Sequence, residues 1–436
     1  MTNEHDGILN FNTIAQHGGQ ELDAVTHSRA VPIYQTTSYG FESTDHAASL
    51  FQMQEEGYIY SRNANPTNRV LEKRLAGLEG GVDAFAVSSG QSAITIALLT
   101  LAKVGDEIVT TNALYGGTYN LFSETFKRFG VTVRFVDGTN FSEITNAINA
   151  NTKAIFTETI GNPGLQIADI EKLGQIADEH GIPLVADSTF TTPYLQCPIA
   201  FGADIVIHST TKFIGGHGTS IGGIIIDAGK FNWANGNFPE FTTPKDSLNN
   251  QSYVELTSES AFISKARFEL GHDLGTALSP FNGWLFIQGL ESLSLRMKQH
   301  VENTKQIAAY LNEHELVTWV NYPSLKGDGQ FELAETYLPR GAGAIFTFGI
   351  KGGLEAAKTF IQSVKLLSHV ANVGDSKTLV IHPASTTHSR LSPEEQRITG
   401  VTPELIRISV GLEDAEDIKA DINSALRKSL GASFVE

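Results

Sequence analysis

The chain has 436 residues, of which 48 are acidic and 31 basic, and its formal net charge is −17. At about 150 residues per domain this length predicts two or three domains, and a composition of 41% hydrophobic and 18% charged residues indicates a large packed core. The acidic balance argues against nucleic acid and anionic membrane surfaces as partners, since both require a basic surface.

Residues 1–65 are predicted to form an extended arm that packs on another part of the molecule, because they show no regular alternation of strands and helices. Residues 1–6 are polar and acidic and lack the basic and apolar stretches of a secretory signal. No apolar run is long enough to span a bilayer. The single cysteine excludes an internal disulfide framework and a multi-cysteine metal site. We therefore expect a cytoplasmic protein.

From about residue 80 to residue 227, short β-rich runs alternate with helix-length amphipathic segments. The predicted helices lie near 91–103, 118–129, 141–150 and 168–180. The predicted strands are 85–88, 107–111, 131–136, 153–159, 183–187, 203–208 and 220–227. This alternation predicts an α/β fold with a mostly parallel seven-stranded sheet that is covered on both faces.

The C-terminal part is predicted to be a second, smaller unit. Residues 228–262 are rich in Asn, Thr and Ser without a clear period, which is typical of a surface insertion. A helical pattern over 283–313 then leads to strands at 344–348 and 405–410 and a final helix near 414–429. We predict an arm over 1–65, a large domain over 66–285 and a small α+β domain over 286–436.

Three polar residues lie at or just after the ends of successive predicted strands, namely Glu158, Asp187 and Lys212. In an open parallel sheet, functional groups gather at the carboxyl ends of the strands. Lys212 follows an apolar strand, and burial there would lower its pKa and favour the neutral amine that forms a Schiff base with an aldehyde. A surface lysine in a polar loop is the alternative.

Other residues could complete a site for pyridoxal 5′-phosphate (PLP). Asp187 could keep a pyridine nitrogen protonated, although capping a loop is the commoner role of an aspartate at a strand end. Residues 88–91 join a strand to a helix, whose free N–H groups could bind an anion, although ordinary helix caps look the same. Arg407 lies inside an apolar strand and must meet a carboxylate, which could belong to the protein or to a substrate.

Two further segments carry candidate ligand-binding side chains. Tyr60 and Arg62 in the arm could hold phosphate oxygens, and Tyr115 lies in a glycine-containing loop where it could stack on a flat ligand. Unremarkable exposed side chains are the alternative in both places. The 13 histidines show no metal-ligand spacing, so no metal site is predicted.

Seven segments taken together resemble the Cys/Met-metabolism family of PLP-dependent enzymes, which have fold type I and include the trans-sulfuration enzymes. They occur in the family's order and extend over nearly the whole chain. The segments are 60–67, 88–90, 114–116, 158–163, 187–190, 209–217 and 407–411.

The resemblance implies a role for each candidate residue. Lys212 would hold PLP as a Schiff base and move protons, Tyr115 would stack on the ring and assist proton transfer, and Asp187 would pair with the ring nitrogen. Arg407 would bind the substrate α-carboxylate, with Asn162 and Asn372 beside it. The phosphate would be held by Ser89, Gly90, Gln91, Ser209 and Thr211 and, from a neighbouring subunit, by Tyr60 and Arg62.

The resemblance also implies an assembly and a reaction. The arm would complete the site of a dimer partner, within a homotetramer built from two dimers. Segments 32–38, 114–122, 231–236, 371–375 and 382–388 most resemble the branch that replaces the acetate of O-acetyl-L-homoserine with sulfide to give L-homocysteine, or with methanethiol to give methionine. Cystathionine γ-synthase or a methionine or cystathionine γ-lyase, built on the same residues, is an alternative. A non-catalytic α/β binding protein is a more remote one.

Overall fold

The computed structural model describes residues 9–389, 392, 394, 396 and 400–430. A seven-stranded sheet forms its larger part, with the strand order β1-β7-β6-β5-β4-β2-β3. Only β7 runs antiparallel to its neighbours, β1 and β6. The mostly parallel seven-stranded sheet predicted from the sequence is therefore confirmed. Its strands are β1 (Asp83–Val87), β2 (Glu107–Thr111), β3 (Thr132–Val136), β4 (Thr152–Glu158), β5 (Leu184–Asp187), β6 (Ile205–His208) and β7 (Gly223–Asp227).

The central strands are almost continuously apolar because both faces of the sheet are covered. Successive side chains point to opposite faces, so each strand contributes to two separate apolar clusters. Leu184 and Val206 belong to the cluster on one face, whereas Val185 and Ile207 belong to the cluster on the other. The sheet is thus a rigid support whose carboxyl edge can carry polar groups.

Helices cover both faces of this sheet, and several begin at a side-chain cap. The side chains of Asn65, Ser89 and Asp169 accept backbone N–H groups at the starts of three of them. The helices are α1 (Phe11–His17), α2 (Thr44–Phe51), α3 (Pro66–Glu79), α4 (Gly90–Leu101), α5 (Gly116–Asn120), α6 (Phe126–Arg128), α7 (Phe141–Ala147), α8 (Ile170–Glu179), α9 (Thr192–Leu195), α10 (Pro239–Thr242), α11 (Tyr253–Thr257), α12 (Ala261–Ala266) and α13 (His272–Leu274).

A smaller five-stranded sheet with the order β10-β11-β12-β9-β8 follows. Its strands are β8 (Val317–Asn321), β9 (Ile345–Ile350), β10 (Ser368–His369), β11 (Leu379–Ile381) and β12 (Leu405–Ser409). Its helices, and those that lead into it, are α14 (Pro280–Glu291), α15 (Leu293–Asn312), α16 (Phe331–Tyr337), α17 (Gly353–Ser363) and α18 (Ala415–Ser429). Within the described ranges, no helix is both long and apolar enough to cross a membrane.

Two expectations about this half of the chain were wrong in detail. The helical pattern over 283–313 is two helices, because Ser292 leaves the helical conformation with φ −109° and ψ 4°. The segment 228–262 is not a surface insertion, because it contributes large buried side chains to the core. Trp233 stacks on Phe241 with ring centroids 4.2 Å apart and on Phe262 at 5.6 Å. Its polar composition hid these irregularly spaced aromatic residues.

Candidate active site

A cavity of about 320 Å³ lies at the carboxyl edge of the large sheet, where the small sheet approaches it. Glu158, at the end of β4, lines this cavity, as do all the predicted site residues except Tyr60 and Arg62. These lining residues are Ser89, Gly90, Gln91, Tyr115, Asn162, Asp187, Ser209, Thr211, Lys212, Asn372 and Arg407. Side chains from distant parts of the chain therefore meet in one place.

Lys212 lies in the turn that follows β6, and its amine points across the cavity to the loop between β10 and β11. Its Nζ donates a hydrogen bond of 2.6 Å to Oδ1 of Asn372. Burial, followed by repulsion from Arg407, lowers the pKa of Lys212 to about 8. A Cβ on Gly374 would lie 2.6 Å from the backbone nitrogen of Phe213, so glycine there lets the Asn372 segment approach the lysine. A substantial fraction of this amine is neutral near physiological pH.

Asp187 ends β5 beside Glu158, its partner in the register with β4. One oxygen of Asp187 accepts hydrogen bonds from the backbone N–H and the hydroxyl of Thr189, at 3.0 and 2.6 Å. Burial raises the pKa of Asp187; burial and then Asp187 raise the pKa of Glu158 well above its usual range. No cationic side chain of the described residues forms an ion pair with either carboxyl group, so a cationic ligand group beside them would stabilise their ionised forms.

The opposite end of the cavity is built around the N-terminus of α4. A Cβ on Gly90 would lie only 2.7 Å from Cβ of Ser209, so glycine allows the helix and the turn after β6 to meet. The hydroxyl of Thr211 is fixed between the backbone N–H and carbonyl groups of Gly222, at 3.1 and 3.2 Å. The first N–H groups of a helix have no partners within it, so this end can bind an anion.

Tyr115 lies between these two ends and immediately precedes α5. Its backbone N–H donates to Oε1 of Glu158 at 2.7 Å, which fixes the loop on the sheet. The ring lies so close to Gly117 that a Cβ there would overlap it. The side chain is 48% exposed, so a broad aromatic face remains open to the cavity. A flat ligand could stack on it.

Arg407 is 5% exposed and lies on β12, in register with Thr347 and Ile381. Its guanidinium donates to Oδ1 of Asn162 at 2.9 Å and to the backbone carbonyl of Asn372 at 3.5 Å. No carboxylate of the described residues pairs with it. Burial lowers its pKa to about 10, which leaves it positively charged at neutral pH. Of the two partners that the sequence left open, a ligand carboxylate is the one that this cavity can accommodate.

Tyr60 and Arg62 lie on the arm and do not line the cavity of their own chain. The Arg62 guanidinium is 5.0 Å from the centroid of the Tyr60 ring, and its Nη2 is 3.2 Å from Nε2 of His272. Because arginine only donates, this His272 nitrogen is the acceptor. The predicted contact with a neighbouring subunit stays a prediction.

The structure adds residues that the sequence analysis did not assign to the site. Thr189 is the most informative, because its hydroxyl also accepts the backbone N–H of Ser209 at 2.9 Å. It thereby connects the Asp187 end of the cavity with the Ser209 end. The sequence signal that could have identified Thr189 is its position two residues after Asp187, which ends a strand. Other added lining residues include Thr118, Phe190, Ile221 and Thr387. No group of three or more His, Cys, Asp or Glu side chains in the described part of the chain could hold a metal ion.

These features fit PLP. The buried carboxylates without a cation suit a protonated pyridine nitrogen, and the end near Gly90 suits a phosphate. The amine of Lys212 is suited to react with an aldehyde, and the exposed ring of Tyr115 is suited to stacking on a flat ring. Both ends belong to the same cavity, so a single ligand can contact both of them.

Comparisons with known proteins agree with this reading. A model of the Cys/Met metabolism PLP-dependent enzymes matches residues 12–427. O-acetyl-L-homoserine sulfhydrylase from Leptospira meyeri is 52% identical over 424 residues, covering 95% of this chain and 96% of that protein. Homocysteine synthase from Schizosaccharomyces pombe is 50% identical over 419 residues, covering 95% and 98%.

A solved structure from Campylobacter jejuni is also similar. It is assigned as an O-acetylhomoserine (thiol)-lyase and carries an N′-pyridoxyl-lysine-5′-monophosphate residue. It superimposes with a TM-score of 0.93 at 40% identity, covering 96% of this chain and 100% of that one. The family match, the relatives and the site lead to the same conclusion: this chain belongs to the Cys/Met metabolism family of PLP-dependent enzymes.

Proposed function

We propose that this enzyme converts O-acetyl-L-homoserine and sulfide to L-homocysteine and acetate, and that methanethiol can replace sulfide to give methionine. The main support for this proposal is that Asn372 contacts both the Lys212 amine and the guanidinium of Arg407. Arg407 is buried and has no carboxylate partner among the described residues. This pair offers a base and a carboxylate-binding cation to one amino-acid substrate. Relatives of about this length that are named for the same reaction support the choice.

Arg407 orients the substrate. Its guanidinium binds the α-carboxylate through charge-assisted hydrogen bonds, and the side chain of Asn162 fixes the plane of the guanidinium. Because Arg407 and Lys212 both contact Asn372, a substrate that is held by the arginine has its α-carbon near the lysine. The positions of these groups therefore set which proton is removed.

Lys212 performs the proton transfers. PLP, when bound, supplies an aldehyde that bonds to an amine and a protonated ring that takes up electrons from carbon. Once its amine is free and neutral, Lys212 removes the α-proton and then mediates loss of a β-proton. In the net reaction the bond between the γ-carbon and the acetate oxygen breaks, and a bond between the γ-carbon and sulfur forms. Tyr115 lies where it can assist proton transfer.

The charges that line the cavity favour a small uncharged acyl group. Among the described lining residues, Lys212 and Arg407 are the cations, and both have roles above. A succinyl or phosphoryl group would bring a further negative charge, for which the described lining residues of this chain offer no additional cation. An acetyl group brings none, and this supports O-acetyl-L-homoserine as the substrate.

A substrate panel tests the proposal. Purified enzyme would be assayed with O-acetylhomoserine, O-succinylhomoserine, O-phosphohomoserine and O-acetylserine, each with sulfide. We expect homocysteine from the first substrate at the highest kcat/KM. Cysteine would be offered in parallel, and formation of cystathionine without any use of sulfide would contradict the proposal in favour of a cystathionine γ-synthase. α-Keto acid release without a nucleophile would favour a γ-lyase. Failure of added PLP to produce a visible absorption band would favour the non-catalytic binding protein.

We further propose a cytoplasmic homotetramer in which Tyr60 and Arg62 of the arm reach the phosphate bound by a neighbouring subunit. Their position outside the cavity of their own chain supports this assignment, and the single cysteine suits a reducing compartment. We also propose the division into residues 1–65, 66–285 and 286–436. Helix α14 crosses the second boundary and joins the two larger parts.

A further inference from the structure

Arg296 on α15 is a buried arginine whose guanidinium contacts the turn that carries Lys212. Arg296 is 6% exposed. Its Nη1 donates a hydrogen bond of 2.7 Å to the carbonyl of Phe213, and its Nη2 donates one of 3.1 Å to the carbonyl of Ile214. These two residues directly follow Lys212 in the chain. Nη2 also donates to the carbonyl of Gly289, near the end of α14, at 2.7 Å. The guanidinium thus joins the turn to the junction of α14 and α15.

No ion pair accounts for this buried charge. Among the described residues no carboxylate pairs with Arg296, and its remaining nitrogen, Nε, donates to Oγ of Ser292 at 3.2 Å. Burial lowers the pKa of Arg296 to about 10, so it stays positively charged at neutral pH. Glycines make room for the contact, because a Cβ on Gly216 would overlap the guanidinium and one on Gly289 would overlap the carbonyl of Ile214. A buried charge that only carbonyls and a hydroxyl balance is costly, which favours a specific role at the turn over simple packing.

The same face of α15 also contacts the end of β12. His300 and Asn303 follow Arg296 by four and seven residues, which places all three on one side of the helix. Nδ1 of His300 is 2.7 Å from the carbonyl oxygen of Val410, to which it must donate. The side-chain amide of Asn303 donates to the carbonyl of Gly411 at 3.1 Å. These carbonyls directly follow β12, the strand of the proposed carboxylate-binding arginine. One helix face therefore contacts both parts of the chain that bring the base and the cation together.

We propose that Arg296 is a positioning residue that holds the turn of Lys212 in place relative to Arg407, so that the amine reaches the α-carbon of the substrate. This inference rests on the proposed roles of Lys212 and Arg407 and adds the residue that keeps them in register. A planar guanidinium that binds two successive carbonyls fixes both the position and the orientation of the turn, which a lysine ammonium cannot do. Accurate placement matters because a shift of about 1 Å can slow a reaction about 100-fold.

The first measurement is amide hydrogen exchange of the apo protein, for the native chain and for Arg296→Lys. The N–H groups of Gly215 and Gly216 donate within the turn, to the carbonyls of Thr210 at 2.9 Å and Lys212 at 2.7 Å. We expect these two amides to exchange about tenfold faster in the variant, because the turn opens more often without the guanidinium. The amides of β3, at the far edge of the large sheet, are the internal reference.

The second measurement is the exchange of the α-proton of L-norvaline with solvent deuterium, expressed per bound PLP. L-norvaline is an amino acid without a leaving group, so the exchange needs neither O-acetyl-L-homoserine nor sulfide. We expect the rate at saturation to fall about tenfold in Arg296→Lys, with the half-saturating concentration changed by less than about twofold. A merely structural role would lower the amount of folded protein or of bound PLP and would leave the rate per bound PLP unchanged.

Arg74→Lys is the matched control. Arg74 is also buried, at 0% exposure, and donates to the backbone carbonyl of Gly18 at 3.0 Å. Its other partners, Gln20 and Glu291, do not line the cavity. This variant makes the same change in a comparable setting away from the turn. It should lower the free energy of unfolding but leave both exchange rates within about twofold of the native values.

Faster exchange of the turn amides together with slower α-proton exchange would support the inference, and either change without the other would overturn it. Lys212→Ala, measured in parallel, should abolish α-proton exchange. Persistence of the exchange in Lys212→Ala, or its absence from the native enzyme, would instead refute the proposed role of Lys212. If Arg296→Lys does not fold, Ser292→Ala decides by the same two measurements. It removes only the acceptor of Nε and should change each rate about threefold.

Discussion

The amine of Lys212 donates a hydrogen bond of 2.6 Å to the side-chain oxygen of Asn372, 160 residues further along the chain. The same asparagine accepts from Arg407 through its backbone carbonyl. One residue of the loop between β10 and β11 thereby touches both the proposed base and the proposed carboxylate-binding cation. Because Lys212 contacts the side chain of Asn372 and Arg407 contacts its backbone, a substitution can break the first contact and keep the second.

Replacing Asn372 should impair proton transfer more than substrate binding. In Asn372→Ala the backbone contact with Arg407 is retained, but Lys212 loses its acceptor and its fixed orientation. We expect kcat to fall about tenfold with little change in KM, because a hydrogen bond to a charged group stabilises by roughly 1.5–3 kcal/mol. Steady-state kinetics measure both constants. A large rise in KM with unchanged kcat would instead assign Asn372 to substrate binding alone.

Lys212→Ala should abolish turnover while the phosphate end and Asp187 still bind cofactor. We expect kcat to fall by a factor of about 1,000 or more, since general base catalysis and covalent attachment are lost together. Added small primary amines should restore part of the activity. Lys326→Ala, on an exposed loop, is the control and should behave as the native enzyme. Near-normal turnover of Lys212→Ala would refute its assignment.

The capture of PLP by apo protein should depend on pH through Lys212. Burial, followed by Arg407, lowers its pKa to about 8, and only the neutral amine reacts with an aldehyde. The capture rate should therefore rise with pH up to about 8 and then level off. In Arg407→Gln the repulsion is gone, the pKa of Lys212 rises, and the plateau moves to higher pH. Stopped-flow absorbance measures the rate. Arg134→Gln, an exposed arginine, should not move the plateau.

Gly90→Ala should weaken the binding of PLP more than that of pyridoxal, which lacks the phosphate. The new Cβ would lie 2.7 Å from Cβ and 3.1 Å from Cα of Ser209, so the helix start and the turn must separate. Such overpacking costs about 1–3 kcal/mol, which corresponds to a loss of affinity of about 5-fold to 150-fold. Gly329→Ala, which meets no atom within 4 Å, is the control. Equal losses for PLP and pyridoxal would place the phosphate elsewhere.

Trp233→Ala should destabilise the large part of the molecule. Its ring is 5% exposed and stacks on Phe241 and Phe262, so its removal leaves a cavity in the core. We expect the free energy of unfolding to fall by about 3–5 kcal/mol, as is usual for a buried aromatic residue. Denaturant titration of the apo protein measures it. Phe51→Ala, at 66% exposure, should change it little. An equally small effect of Trp233→Ala would contradict the burial of this segment and would indicate that residues 228–262 lie at the surface.

The sequence by itself determined the class of the fold and most of the candidate site. The spacing of apolar residues in a strand or an amphipathic helix is a local property of the chain. The bounds of the seven strands could therefore be predicted to within a few residues. Lys212, Asp187 and Glu158 could be placed on one edge, because the carboxyl ends of parallel strands share an edge. Local composition misled at Trp233, since burial depends on distant neighbours and not on the polarity of the surrounding segment.

Only the tertiary structure decided which distant groups meet. Nothing local to Asn372 or Lys212 indicates their hydrogen bond, and the strand pattern around Arg407 could not say whether its carboxylate belongs to the protein. The hydrogen bond of 2.6 Å between Glu79 on α3 and His208 on β6 likewise depends on the packing of α3 against the sheet. Such contacts follow from strand order and from the docking of the small sheet, which place residues together that are far apart in the chain.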